Sequence, residues 1–199
     1  MFRIFIAFIF IFNLSGCGYN DIQTYDEQVN ASWSEVLNQY QRRTDLIPNL
    51  VASIKGYSSH EQEVLEAVTL ARSQANRASS DLQKTPGDEQ KLQAWQQAQA
   101  QVTRTLGQLT IISERYPQLK AQELYQNLMV QLEGSENRIA VARGRYIKAI
   151  EQYNVTIRKF PAVLTAKVMN TPKKNYLPDD VTAVSKAPTI DFSQNANAH

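Results

Sequence analysis

From Ile22 onward, apolar residues recur at alternating three- and four-residue steps: Ile22, Tyr25, Val29, Trp33, Val36 and Tyr40, then Ile47, Leu50, Ile54 and Tyr57. A mean step of about 3.5 residues draws one stripe along a helix, and such a stripe must be covered by other helices. A half-buried strand would alternate every second residue instead. The middle of the chain is rich in Gln, Ala, Leu, Glu and Arg, which favour helix, and five of the seven prolines lie at or beyond position 117. These features predict an all-α fold, a helical bundle with long first and last helices.

Punctuation residues divide the bundle. Pro48 removes one backbone donor and is expected to kink the first helix, placed at 20–55. Gly56 offers a C-cap, and Ser58 with Glu61 reads as a Ser-x-x-Glu capping box, so a second helix is expected over 59–79. The competing reading is a helix that continues past Gly56, since Val64, Val68 and Ala71 keep the step. Thr85-Pro86-Gly87-Asp88 is a turn. A third helix is expected over 88–114, carrying Leu92, Trp95, Val102, Leu106, Leu109 and Ile112. Pro117 suits the first turn of a fourth, placed at 118–165, with Tyr125, Leu128, Leu132, Ile139, Tyr146, Ile150, Tyr153, Ile157 and Phe160 on one stripe. Phe160-Pro161 marks a kink or boundary. The bundle as a whole is placed at 20–169. Residues 170–199 have no periodicity and little apolar surface, and are expected to be mostly disordered.

The amino terminus carries an export pattern. Arg3 is followed by the apolar run Ile4 to Phe12 and then Leu14-Ser15-Gly16-Cys17. The run is too short for a hydrocarbon core that needs about 20 helical residues, but it suits a signal peptide. Leu-Ser-Gly-Cys resembles the bacterial lipobox. The expectation is a signal peptide over 1–16, removed on export, and residues 17–19 as an anchor lipidated on Cys17. An uncleaved anchor with an idle thiol is the alternative, and it would place Asn13 and Ser15 unfavourably deep. Gly18, where an inner-membrane lipoprotein would resemble the Asp-bearing type, favours the periplasmic face of an outer membrane if the host has one.

Arg42-Arg43-Thr44-Asp45-Leu46-Ile47-Pro48-Asn49-Leu50-Val51, Lys55-Gly56-Tyr57 and His60-Glu61 closely resemble the LemA family. So do Tyr116-Pro117-x-Leu119-Lys120-Ala121, Glu136-Asn137-Arg138-Ile139, Ala142-Arg143, and Tyr153-Asn154 before Phe160-Pro161. The resemblance covers roughly 19–165. It implies an antiparallel up-and-down four-helix bundle held at a membrane by its N-terminal segment, with no established enzymatic activity. Two positions depart from the family pattern: a lipobox stands where many members have a longer spanning helix, and Asn170-Thr171 stands where Gly-Phe is usual.

Catalytic constellations fail on their parts. His60-Glu61 lacks the second histidine of a zinc-protease helix because Val64 occupies its place. A di-iron bundle needs Glu-x-x-His pairs, and Tyr57 stands three residues before His60. The other histidine is His199. Cys17 is expected to be consumed by lipid, no Gly-x-Ser-x-Gly elbow exists, and there is no Gly-rich phosphate loop. No catalytic residue, metal or cofactor is therefore expected. A formal net charge of +2 gives no bulk signal for nucleic acid.

What remains are charges on the seams. Arg43 and Glu61 fall on the early stripe, Glu136 and Arg143 on the last. Buried charges need partners, so interhelical pairing is expected, either as polar layers that fix register, as residues at the seam margin, or as a recognition site. Arg158, Lys159, Lys167, Lys173 and Lys174 form a basic exit from the last helix, expected to face an anionic membrane or to be a solvated face. Ile190-Asp191-Phe192 is a candidate partner motif in the tail. The expected function is a non-catalytic, membrane-tethered scaffold or interaction protein of the bacterial cell envelope with a protein partner. A lipid or small-molecule carrier, or an enzyme of unfamiliar type, are the alternatives.

Overall fold

The computed structural model describes residues 2–55, 61–85 and 87–177, with side chains from Gly18 onward. Six helices follow one another among them: α1 Phe2–Lys55, α2 Gln62–Lys84, α3 Glu89–Arg115, α4 Pro117–Lys120, α5 Glu123–Thr156 and α6 Ala162–Val168. The fold is all-α. Residues 2–17 lie in helical backbone, but their side chains fall outside the described set, as do Gly56, Tyr57, Ser58, His60 and the Ile190-Asp191-Phe192 motif.

Helix boundaries differ from expectation for local reasons. The helix placed at 20–55 extends back to Phe2, through the apolar run. α1 is continuous through Pro48. The second helix starts at Gln62 and runs to Lys84, later at both ends than the expected 59–79. Glu61 is its N-cap residue and makes no capping bond there. At α3 the Asp88 carboxylate accepts from the backbone N–H groups of Gln90 (3.0 Å) and Lys91 (3.2 Å), as an N-cap should. Gly87 before it sits at φ 93°, a conformation that favours glycine. The helix expected over 118–165 is three pieces. α4 stops at Lys120, and α5 starts at Glu123 and ends at Thr156. α6 is a separate turn of chain after the cis Phe160–Pro161 peptide.

The described residues form two compact units, one within 30–146 and the other made of those before 30 together with those from 147 to 177. Within 30–146, one core cluster joins Ile47, Leu50 and Ile54 of α1 to Leu65, Val68 and Ala71 of α2, Leu106, Leu109 and Ile112 of α3, and Tyr125, Leu128 and Leu132 of α5. A second cluster joins Val36 and Tyr40 to Leu82, Trp95, Ile139 and Ala142. The late part of α1 thus meets the early part of α2, the late part of α3 and the early part of α5. That pattern is an antiparallel four-helix bundle. Burying each Leu or Ile contributes about 1.5–3 kcal/mol, which sets the seams rather than helix propensity as the main stabilising term. In the second cluster Trp95 is ringed edge-on by Trp33 (5.3 Å between centroids) and Tyr40 (4.9 Å), and its indole N–H donates to Ser79 Oγ at 3.1 Å. Both the area and the polar handle of the indole are satisfied.

In the other unit, Ile22, Val29, Ala149, Ile150, Tyr153, Ile157, Ala162, Ala166 and Leu177 are buried. Gly18 touches the first residue of α6 so closely that a Cβ there would stand 2.7 Å from Ala162 Cα. The segment after α6 is held. Asn170 takes φ 50°; its N–H donates to Lys167 O (3.3 Å) and that of Thr171 to Ala166 O (3.0 Å). This is a Schellman ending, and Asn replaces the usual Gly at the left-handed position. Residues 170–177, expected to belong to a disordered tail, are fixed by this ending and by the contacts of Tyr153 and Asn154 given below. Residues 178–199 lie outside the described set.

Candidate functional site

Two arrangements of polar residues stand out. The first is built around Arg43 in the 30–146 bundle. Its guanidinium is 1 % exposed. Nη1 donates to Thr103 Oγ1 (2.9 Å) and Glu136 Oε1 (3.0 Å), and Nη2 donates to the Gln99 carbonyl (3.1 Å) and Gln99 Oε1 (2.8 Å). The face of the cation lies 5.0 Å from the centre of the Tyr40 ring, a cation–π distance. Nε has no partner. The Glu136 side chain is 43 % exposed, so the pair is desolvated on the arginine side and hydrated on the other. Glu136 and Thr103 also line an open groove of about 530 Å³ with Leu106, Gly107, Met129, Val130 and Glu133.

Of the four charges singled out by sequence, the structure joins Arg43 directly to Glu136, ties Arg143 to the same cluster through Tyr40, and leaves Glu61 elsewhere. Glu61 pairs with Arg115 at 3.1 Å, linking the start of α2 to the end of α3. Arg143 reaches the Tyr40 hydroxyl at 3.5 Å. Glu61 has no part in the Arg43 cluster. Among the described residues, no group of three His, Cys, Asp or Glu side chains is placed to hold a metal ion.

The second arrangement holds the chain after α6. Asn154, 1 % exposed, is bonded both ways to the Lys174 backbone: its Nδ2 donates to Lys174 O, and Lys174 N–H donates to its Oδ1, both at 2.9 Å. The Tyr153 hydroxyl donates to Pro172 O at 3.3 Å. Lys174 Nζ bonds Asp26 at 2.8 Å and lies 5.1 Å from the Tyr153 ring centre. Lys174, expected to face a membrane, is spent inside the protein. Burial, and after it the negative charge of Asp26, raises the Tyr153 phenol above its ordinary 10.0.

Residues 32–192 match the sequence profile of the LemA family. The chain belongs to the LemA family. It is 27 % identical over 158 residues to the magnetosome proteins MamQ 1 and MamQ 2 of Paramagnetospirillum magneticum, and equally to MamQ of Magnetospirillum gryphiswaldense. The match covers 72 % of this chain and 58 % of each relative, so the chain spans a little over half the length of the curated relatives it matches.

The residues that carried the LemA resemblance now have structural employment. Arg43 and Glu136 form the buried pair, and Tyr153-Asn154 fastens the post-α6 segment. The Thr44 carbonyl, which Pro48 four residues on cannot serve for want of an N–H, accepts from Arg72 Nε at 3.0 Å. Gln99, Thr103, Arg72 and Arg115 were not singled out by sequence. Gln99 carried a signal, since it falls four residues after Trp95 on the apolar stripe of α3. The other three sit among many similar polar residues, and only the facing helix distinguishes them.

Four of the five basic residues of the exit, Arg158, Lys159, Lys167 and Lys173, are exposed. Arg158 Nε also donates to Asn154 O at 2.8 Å. The close approach of Gly18 to Ala162 brings α6 to the residue that follows Cys17. Gly18 thus has a packing reason to lack a side chain, apart from any role in lipoprotein sorting.

Proposed function

We propose that this LemA-family chain is a non-catalytic helical scaffold of the bacterial cell envelope, anchored by a lipid on Cys17 and presenting its bundle to a protein partner. The observation that carries the reading is the condition of Arg43. Four of the donor bonds of the guanidinium are made to Gln99, Thr103 and Glu136, so the most buried charge of the bundle serves helix register rather than a substrate. Among the described residues no helix is long and apolar enough to cross a membrane. The proposed attachment is the lipid, and the periplasmic face of an outer membrane is the proposed location in a host that has one. Each exposed cation near an anionic surface adds about 1 kcal/mol of attraction, which gives Arg158, Lys159, Lys167 and Lys173 a part in holding the protein down.

Mass spectrometry of the mature N-terminus tests the anchor: an acylated Cys17 as first residue is expected, and a chain that keeps residues 1–16 overturns it. Cross-linking in intact cells, with Cys17→Ser as control, tests the scaffold. One abundant envelope partner that disappears with the anchor is the expected result. Repeated failure to capture any specific partner would count against it.

A carrier reading has one observation in its favour. A groove of about 760 Å³ runs beside Val51, Leu65, Leu70 and Thr69. A lipid or small molecule retained through gentle purification and seen by native mass spectrometry would favour it over the scaffold.

A further inference from the structure

α6 buries its small residues and shows its large ones. Ala162 and Ala166 are buried, while Leu164 and Val168 of the same helix are 57 % and 87 % exposed, and Phe160, in the turn just before it, is 72 % exposed. Met169 beside them is also exposed. A helix that only completes a core has the reverse arrangement. Phe160 was expected on the buried stripe of the last helix. It leaves that register because α5 ends at Thr156 and the chain turns before Pro161.

The surroundings of this stripe are cationic. Arg158, Lys159, Lys167 and Lys173 are exposed close to it along the chain, and residues 152–177 contain no Asp or Glu. Exposed large apolar side chains with Lys and Arg beside them are the composition of a segment that lies in a membrane interface. Position points the same way, since α6 begins against Gly18, the neighbour of Cys17.

We infer that Phe160 and α6 form an interfacial insertion element, in which Phe160, Leu164 and Val168 enter the acyl boundary of an anionic bilayer. Lys159 and Lys167 lie at the level of the lipid phosphates. The inference rests on the lipid-anchor reading for its placement and adds a second, reversible contact beside the lipid. A tether alone leaves the protein free to swivel, whereas a tether plus insertion fixes one orientation at the surface, because the anchor keeps the second contact at high effective concentration. A protein groove would also cover an apolar stripe, but the exposed Arg158, Lys159, Lys167 and Lys173 and the adjacent anchor select a bilayer.

The test uses the full chain purified from membranes, with Val168→Cys labelled by a polarity-sensitive fluorophore and reconstituted into vesicles. Phe160→Cys and Leu164→Cys give two further positions, and Gln108→Cys, exposed on α3, is the control. In vesicles containing phosphatidylglycerol, the expected result is a blue shift with a several-fold rise in emission at 160, 164 and 168. Nitroxide placed shallowly on the acyl chains should quench that emission, and Gln108→Cys should show neither effect. Lys159→Glu with Lys167→Glu should remove most of the shift. Protein that reconstitutes with no shift at the three positions overturns the insertion. An equal shift in pure phosphatidylcholine overturns its anionic character. Protection of all three positions by a co-purified protein instead of lipid also overturns it. The anchor is read separately: label taken up by the unsubstituted chain means that Cys17 carries a free thiol, which refutes the lipid reading whatever the α6 positions show.

Discussion

Arg72 on α2 donates its Nε–H to the backbone carbonyl of Thr44 on α1, at 3.0 Å. In an uninterrupted helix that carbonyl accepts from the N–H four residues on. Here the residue four on is Pro48, which has no N–H. An arginine from the neighbouring helix supplies the donor that proline removed, so α1 continues to Lys55 without leaving a buried acceptor unpaired.

This substitution of one donor for another predicts a double-mutant cycle. Arg72→Ala should cost about 1–3 kcal/mol, since it orphans the Thr44 carbonyl. In a Pro48→Ala background the backbone supplies its own donor, and Arg72→Ala should cost markedly less. Urea unfolding of the four proteins measures the coupling; equal costs in both backgrounds would show that Arg72 does not serve this carbonyl.

Arg43→Ala should destabilise by about 2–4 kcal/mol, through lost packing and the orphaned Gln99 amide. Arg43→Met keeps most of the volume and should lose less. Glu136→Ala should cost about 1.5–3 kcal/mol, the range for bonds to charged groups. A silent Arg43→Ala in chemical denaturation would remove Arg43 from the structural core.

Leu50 and Ile150 are 2 % and 0 % exposed. Replacing either with Ala should cost about 2–5 kcal/mol, the sum of lost transfer energy and the cavity left behind. A loss within about 0.5 kcal/mol, the range of a surface substitution, would refute the placement.

The fastening of residues 171–177 is testable by proteolysis. Asn154→Ala removes both bonds to the Lys174 backbone, and trypsin should then cut after Lys173 or Lys174 several times faster than in the parent chain. Asn170→Gly should be neutral or stabilising by a few tenths to about 1 kcal/mol, whereas Asn170→Val should destabilise by about 1–2 kcal/mol at its positive φ. Unchanged cleavage in Asn154→Ala would mean that other contacts hold the segment.

Tyr153 gives the pH dependence. Its folded pKa is raised above 10.0 by burial first and Asp26 second. Folding therefore favours the neutral phenol, so its contribution is fully present below about pH 10 and is lost as pH rises through the folded value. Ionisation also removes the donor to Pro172 O. The ultraviolet difference titration between the parent and Tyr153→Phe should show one phenol ionising late, and Asp26→Asn should bring it earlier. A normal titration would remove burial as the cause.

The seam residues show how far sequence reached. Ile22, Val36, Ile47, Leu50, Trp95, Leu109, Leu132 and Ile150 were all read as helix-facing from their spacing, and all are buried. Periodicity is local and survives in one dimension, so fold class and most of the core were legible. Arg43 and Glu136 were legible as misfits, being charges on apolar stripes, and their family motifs marked them further. That they bond each other, while Glu61 goes to Arg115 and Arg143 to Tyr40, was not legible, because a seam gives the face of a charge but not its partner.

By itself the sequence determined that this chain is helical, where its stripes run and which charges must find partners. Tertiary structure decided which donor replaces the one missing at Pro48, that α5 stops at Thr156, and that Asn170 ends α6 as a glycine would. It also turned Phe160 from a core residue into an exposed one. Stripe formation follows from 3.6-residue geometry within one helix. Pairing, chain reversal and exposure depend on which helix arrives opposite, a property of the packed chain that no single segment contains.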